Sequence, residues 1–337
     1  MQTLQQYEYL DRDTILAGVV DWMVKESPML GALPMKPIQG NAYKYNVSLT
    51  LPTASWLTVG DQIPESSGTY EQRSTDIYTM IQDALTDKSA ITLNATQDPE
   101  QIDAALAAQA MAHEFEKTLI IGQTSTASTT KQFKGLLRMV AEFESATTTD
   151  LDGAIAGADG NNSQVLAAGA TNGATSMALL DELIDKIKPG KPDLLLMSRL
   201  SRRRINALAR ASGGGLTLDK AELFGIKMMH YDEIPIYVSD FLPDNFPDNS
   251  SSVMTISTYN YDAARSAGSN LDNSLIFAMQ LGEKKVQGLH AGEMKHERSD
   301  PNQPVEDYNA IRNRYIWYVG MMCASKYSLA VLTGCVS

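Results

Sequence analysis

The residue types best suited to chemistry in this chain gather in one short stretch, His290, Glu293, His296 and Glu297. Imidazole nitrogens and carboxylate oxygens together suit a divalent cation, and with it a metal-dependent enzyme. The spacing matches no compact zinc pattern, however, and the surrounding Ala-Gly-Glu-Met-Lys-His-Glu-Arg-Ser-Asp run reads as an exposed charged loop. A solvated turn accounts for it better than a metal centre. Asp150, Asp152, Asp159 and Asn161 hint at calcium, but the twelve-residue loop with its closing glutamate is missing, so turn chemistry explains them better. Nucleotide and hydrolase signatures fail as well. No Gly-x4-Gly-Lys-Ser/Thr, Gly-x-Ser-x-Gly or His-Glu-x-x-His occurs, and Gly213-Gly214-Gly215 follows a helix instead of joining a strand to one. The residues imply neither a catalytic constellation nor a cofactor.

The remaining chemical candidate is basic. Arg199, Arg202, Arg203, Arg204 and Arg210 fall on one predicted helix. At 100° per residue Arg202 to Arg204 sweep about 200° of its surface, too wide for one groove-reading face. In a chain of net charge −12 such a helix is better suited to ion pairing with acidic neighbours, in the same subunit or the next. The acidic balance also argues against a protein that grips phosphates, while suiting a surface that lies beside nucleic acid without adhering.

The elements that would position these residues are legible in part. Asp13 caps a predicted helix over 14–26 with Ile15, Val19, Trp22 and Met23 on one side, ended by Ser27-Pro28 and Leu33-Pro34. From Asn41 to Thr96 the chain reads as a long two-stranded arm. Tyr43, Tyr45, Val47, Leu49 and Leu51 alternate with polar residues, a turn-rich tip runs from Trp56 to Tyr70, and Ile77 to Leu93 is the expected return limb. Isolated two-stranded ribbons are marginal in water, so such an arm belongs on a neighbouring molecule. Asp98, Pro99 and Gln101 then start a helix predicted to run to Ile121 and stop at Gly122. Its middle is almost entirely alanine, leucine and methionine, which lets other elements lie close along it.

Further on, Ser176 caps a helix burying Leu179, Leu180, Leu183, Ile184 and Ile187; Asp193–Ser198 is a short buried strand, and Arg199–Ala211 is the basic helix. From Gly225 onward strands dominate, Val253–Thr258 among them. His113 and the two cysteines, Cys323 and Cys335, read as packing positions. The 43% apolar and 20% charged composition is that of a globular protein. No apolar run is long enough to span a membrane. The order of elements gives an α+β fold.

At this point the chain resembles the major capsid proteins of tailed double-stranded DNA phages, the Hong Kong 97-type fold shared with encapsulins. Tyr43-Lys-Tyr-Asn-Val, Ala54-Ser-Trp56, Val59-Gly-Asp61 and Glu65-Ser-Ser-Gly-Thr-Tyr70 look like that family's extended E-loop, and Asp98–Ile121 looks like its spine helix. Phe133-Lys-Gly-Leu136, Asp193-Leu-Leu-Leu-Met-Ser198, Phe224-Gly225-Ile226, Ile234-Pro235-Ile236, Ser274-Leu-Ile-Phe-Ala278 and Leu281-Gly282-Glu283 follow in the family's order.

The resemblance implies an N-terminal arm with a short helix (1–40), an E-loop hairpin (41–96), a peripheral domain with a spine helix (97–148), an axial domain (149–300) and closing peripheral strands (301–337). It implies a structural protein, not an enzyme, that assembles with itself as pentamers and hexamers into an icosahedral virion shell. That shell would enclose double-stranded DNA without sequence-specific binding, and would be built in the host cytoplasm with scaffolding, portal and possible decoration proteins, without a membrane. Because no long scaffold-like stretch precedes Met1, either a separate scaffolding protein helps or such a stretch was removed. Trp56, Leu57, Ile63 and Arg73 of the E-loop are the expected subunit-interface residues, with Arg199, Arg202, Arg203 and Arg204 as ion-pairing positions. Some relatives weld subunits through an E-loop lysine; none occurs between Tyr45 and Asp87, so no such weld is expected. An encapsulin-type compartment is the alternative on the same fold. A tail-tube or decoration protein should be smaller and lack this pattern.

Overall fold

The chain's cleanest local signal becomes the longest helix among the described residues. The computed structural model describes residues 27–50, 52–89, 99–122, 131–143, 164–168, 173–211, 220–223, 226–242, 244, 246, 273–299 and 309–336. The expected helix over 14–26, the Asp98 cap, the possible calcium turns, Gly213–Gly215 and an expected strand at Val253–Thr258 lie outside these residues. The helices are α1 (Pro28–Ala32), α2 (Pro99–Ile121), α3 (Leu136–Phe143), α4 (Met177–Asp185) and α5 (Arg199–Ala211). At 1.5 Å per residue α2 spans about 35 Å. It buries the small Ala104, Ala107, Ala108 and Ala112, where neighbours can approach the backbone, together with the larger Met111 and Phe115.

Among the described residues the strands form three sheets. The first has the order β1 (Met35–Pro37), β12 (Val286–His290), β14 (Ala310–Cys323) and β13 (Lys295–Arg298), with β4 (Tyr78–Asp87) paired along the other side of β14. The second runs β5 (Val165–Ala167), β15 (Leu329–Val336), β11 (Ser274–Met279), β7 (Leu194–Met197), β10 (Ile234–Val238), β9 (Ile226–Tyr231) and β8 (Lys220–Leu223), with β6 (Gly173–Ala174) also on β15. The third is the ribbon of β2 (Ala42–Thr50) and β3 (Thr69–Asp76).

The second sheet is covered on both faces, which is why its strands read as unbroken apolar runs. Leu194, Leu196, Leu275, Phe277, Leu329 and Val331 face a core shared with α2, α3 and the first sheet. Leu195, Met197, Ile276, Ala278, Ala330 and Leu332 face the other way, under α4 and α5. Ser176 caps α4 as expected, its hydroxyl accepting from Leu179 N at 3.3 Å. The two sheets therefore share one apolar core.

Close backbone approach fixes the junction after α2. Gly135 N donates to Gly122 O at 2.9 Å. A Cβ on Gly135 would lie 2.4 Å from Gly122 N and 2.8 Å from Thr118 O. The Phe-x-Gly-Leu element needs its glycine for this contact.

Several expected boundaries move. The return limb of the arm is β3, not Ile77–Leu93, because β4 pairs residue for residue with β14 from Asp87↔Ala310 to Tyr78↔Val319. Instead of only ending a helix, Pro28 starts α1 at a first-turn position, where its missing N–H costs nothing. The stretch read as a charged loop contains β13. The last strand does not join the first sheet: β15 pairs with β11 in the second. β12 and β13, placed with the axial residues by sequence, belong to the first sheet. Non-local pairing decided each of the strand cases.

Candidate assembly surface

The ribbon β2–β3 is built by period-two alternation. Tyr43 and Tyr45 lie on one side and stack at 6.3 Å, while Lys44 and Asn46 are exposed on the other. Nine and eight residues per limb give a reach of about 25–30 Å. Beyond Thr50 and Thr69 the limbs continue without a ladder. Thr53 N donates to Ser66 Oγ at 2.6 Å across them. At the far end Asp61 N donates to Thr58 O at 3.1 Å, and Thr58 N donates to Asp61 Oδ2 at 2.9 Å. Gly60, with φ +101°, supplies the left-handed position that this turn requires. The Thr58 bonds hold the Asp61 carboxyl below its usual pKa.

The tip carries large apolar side chains that the fold does not cover. Trp56 is 103% exposed, Val59 110% and Ile63 76%, with Leu57 also exposed. Large apolar side chains concentrated at the end of a projecting ribbon are the signature of an interaction site.

The root is fastened. Ile77 N donates to Asn41 O at 2.8 Å. Lys36 Nζ lies 3.4 Å from Tyr43 Oη and 3.2 Å from Glu283 Oε1, and 5.4 Å from the Tyr43 ring centre. Lys134 Nζ reaches Ser74 O at 3.4 Å. The same ammonium and Arg138 both pair with Glu142. Arg73, expected at a subunit interface, has its guanidinium 4.9 Å from the Phe143 ring centre of its own chain, so it sits at the root and not at the tip. Tyr45 is half-buried there, and desolvation pushes its phenol up to about 12 although Thr75 hydrogen-bonds to it. These root contacts join residues tens of positions apart, and only the Lys134, Arg138, Glu142 spacing along one turn-repeat was open to sequence reading.

The basic helix α5 splits its arginines. Arg199 pairs with Asp240, and Arg204 Nη1 donates to Cys335 O at 2.9 Å. Arg202 and Arg203 are exposed. The four candidate metal ligands do not converge. His296 and Glu297 are adjacent on β13, so their side chains take opposite faces. His296 is buried, 3.0 Å from Asn313 Oδ1 and stacked on Tyr315 at 4.8 Å. His290 Nδ1 is 2.9 Å from Gly292 O. Among the described residues no group of three or more His, Cys, Asp or Glu side chains is placed to hold a metal ion. Burial pushes both the Cys323 and Cys335 thiols up to about 11, so they stay protonated and inert at neutral pH.

A two-sheet body carries a braced arm with an exposed apolar tip, the build of a structural protein. The sequence matches the phage capsid family over residues 8–267, and the chain belongs to that family. It is a capsid shell protein, and its place is the virion capsid. The α+β fold is that of Hong Kong 97-type capsids. The SrpI encapsulin complex from Synechococcus elongatus PCC 7942 is similar at 15% identity, covering 91% of this chain and 87% of that chain, with a TM-score of 0.62. The capsid of the native GTA particle is similar at 13% identity, covering 91% and 90%, with a TM-score of 0.60. The structure from Microbacterium phage Oxtober96 is similar at 13% identity over the same shares, with a TM-score of 0.58. No curated protein matches the sequence.

Proposed function

We propose that the chain assembles as pentamers and hexamers into an icosahedral shell enclosing packaged double-stranded DNA. The observation that carries this reading is the arm: fixed at its root by Lys36, Arg73 and Lys134, and exposed at Trp56, Val59 and Ile63. Burying such a tip on an adjacent subunit contributes only a few kcal/mol at about 25 cal/mol per Å², less the cost of ordering it. Repeated under closed symmetry, contacts of that size give a stable shell that can still correct errors while it forms. Trp56, Leu57 and Ile63 act as the interface anchors. Arg202 and Arg203 are the basic positions open to acidic neighbours, while Arg199 and Arg204 are engaged within the subunit. The net charge of −12 suits a wall that DNA lies against without sequence-specific contact. Scaffolding and portal proteins, and in some shells a decoration protein, are the partners this assembly calls for, with assembly in the host cytoplasm.

A second reading is a nanocompartment shell, favoured by the likeness to the SrpI encapsulin complex. Electron microscopy of purified particles with nuclease treatment separates the two. Closed shells of uniform size holding nuclease-protected double-stranded DNA support the first reading. Shells holding a protein cargo and no DNA support the second. Monodisperse monomers under all conditions would end both.

A further inference from the structure

The two helices that cover one face of the second sheet carry opposite charge. α4 has three carboxylates and no basic side chain, whereas α5 has five arginines and no acidic one. Leu180, Leu183 and Ile184 of α4 and Ile205 of α5 point into the same apolar cluster against the sheet. Asp181, Glu182 and Asp185 are exposed on the other side of α4. At 100° per residue they fall within a sector of about 100°. On α5, Arg204 is turned to Cys335 O, and Arg199, Arg202, Arg203 and Arg210 are exposed. Those four also fall within about 100°. The wide sweep of the arginine run thus narrows to a one-sided basic face.

The subunit does not satisfy these faces against each other. Among the described residues no ion pair joins α4 to α5. Arg199 is held by Asp240, and Asp181 accepts from Tyr231 Oη at 2.6 Å. Arg202, Arg203, Glu182 and Asp185 take part in none of those ion pairs. Asp181 to Asp185 and Arg199 to Arg203 each rise about 6 Å, so the two charged stripes keep step when the helices are laid together. A planar guanidinium can meet a carboxylate with two parallel hydrogen bonds. A face that presents one acidic and one basic helix is complementary to itself, and the occupant that matches both is a second copy of this chain.

We propose that α4 of one copy docks on α5 of the next, with Glu182 and Asp185 paired to Arg202 and Arg203. This contact rests on the self-assembly read above, not on the cargo. Sedimentation over a concentration series, with electron microscopy of what forms, tests it. Arg202→Glu/Arg203→Glu should raise the concentration for half-assembly at least about tenfold, as should Glu182→Arg/Asp185→Arg, because like charges then meet. The chain carrying all four changes restores the complement in reversed order and should assemble within about threefold of the parent. Thermal melts of unassembled variants should match the parent, since all four side chains are exposed. Where a reversal unfolds the subunit, the two Gln pairs at these positions replace it, and combining them should add no loss beyond either alone. Single reversals that assemble like the parent overturn the proposal, and so does a fourfold variant no better than they are. Unchanged assembly with weaker binding of a double-stranded DNA probe in Arg202→Glu/Arg203→Glu would assign α5 to nucleic acid and also overturn it. Parent subunits that form open oligomers but no closed shell end the shell reading, while the same rescue in those oligomers still supports the contact. Parent subunits that stay monomeric under all conditions overturn both.

Discussion

Glu100 Oε1 accepts a 2.8 Å hydrogen bond from Asn313 Nδ2, tying the first turn of the long helix to the longest strand. Arg298 Nη2 of β13 donates to the other carboxylate oxygen at 2.8 Å. A carboxylate only accepts, so the Asn313 amide must turn its nitrogen to Glu100 and its oxygen to His296 Nε2, which then carries the proton. One acid thus orders a buried amide and an imidazole and sits where the helix dipole favours negative charge.

Glu100→Ala should therefore cost the subunit about 2 kcal/mol, because it leaves a buried amide without its acceptor. Arg298→Ala, at a side chain 38% exposed, should cost less than about 1 kcal/mol. Urea denaturation of unassembled subunits measures both, and equal effects would contradict the central role of the Asn313 bond.

Gly135→Ala should be far more damaging than a surface glycine change. Its Cβ would press on Gly122 N and Thr118 O, backbone atoms that cannot rotate away. A loss of about 3 kcal/mol or failure to fold is expected. Gly292→Ala offers the contrast: its Cβ meets no atom within 4 Å, and only its φ of +89° opposes the change. Thermal melts of the two variants should separate clearly.

Glu116 gives a pH signature. Burial raises its carboxyl pKa despite the approach of Ser239 and Ser27. A raised folded-state value means that the stabilising, protonated form is fully present below the unfolded pKa and is lost as pH rises through the folded one. Glu116→Gln should thus melt higher than the parent at pH 7, and the difference should shrink as the pH falls through the raised pKa. A constant difference from pH 4 to 8 would contradict this.

Trp56→Ser and Ile63→Asp should leave subunit stability within about 0.5 kcal/mol, since both residues are largely exposed in the subunit. Particle yield by sedimentation should nevertheless collapse. Loss of folding together with assembly would show that the tip packs within its own chain.

No lysine lies between Tyr45 and Asp87, so mature particles should run as a monomer band on a denaturing gel. A covalent ladder would show a weld formed by other residues. The arm is then held by packing and hydrogen bonds alone.

Local chemistry was readable from the sequence wherever a few neighbouring residues decide the outcome. The proline start and glycine stop of α2, the Ser176 cap, the basic helix and the tyrosine alternation of β2 all appear where expected. The ordered run of these pieces was enough to place the chain among phage capsid proteins. The limits lay in pairing. Ile77–Leu85 has the alternation of an arm limb, but pairing with β14 makes it a sheet strand. His296 sits among charged neighbours, yet β13 pairing turns it inward onto Tyr315. Arg73 lies in the arm by sequence, and only the structure brings its guanidinium onto the Phe143 ring at the root. A strand's two faces and its partner depend on residues tens to hundreds of positions away. The sequence alone therefore determined that an apolar-tipped arm exists, while only the tertiary structure decided where the arm begins, what braces it, and which side chains remain free to meet another subunit.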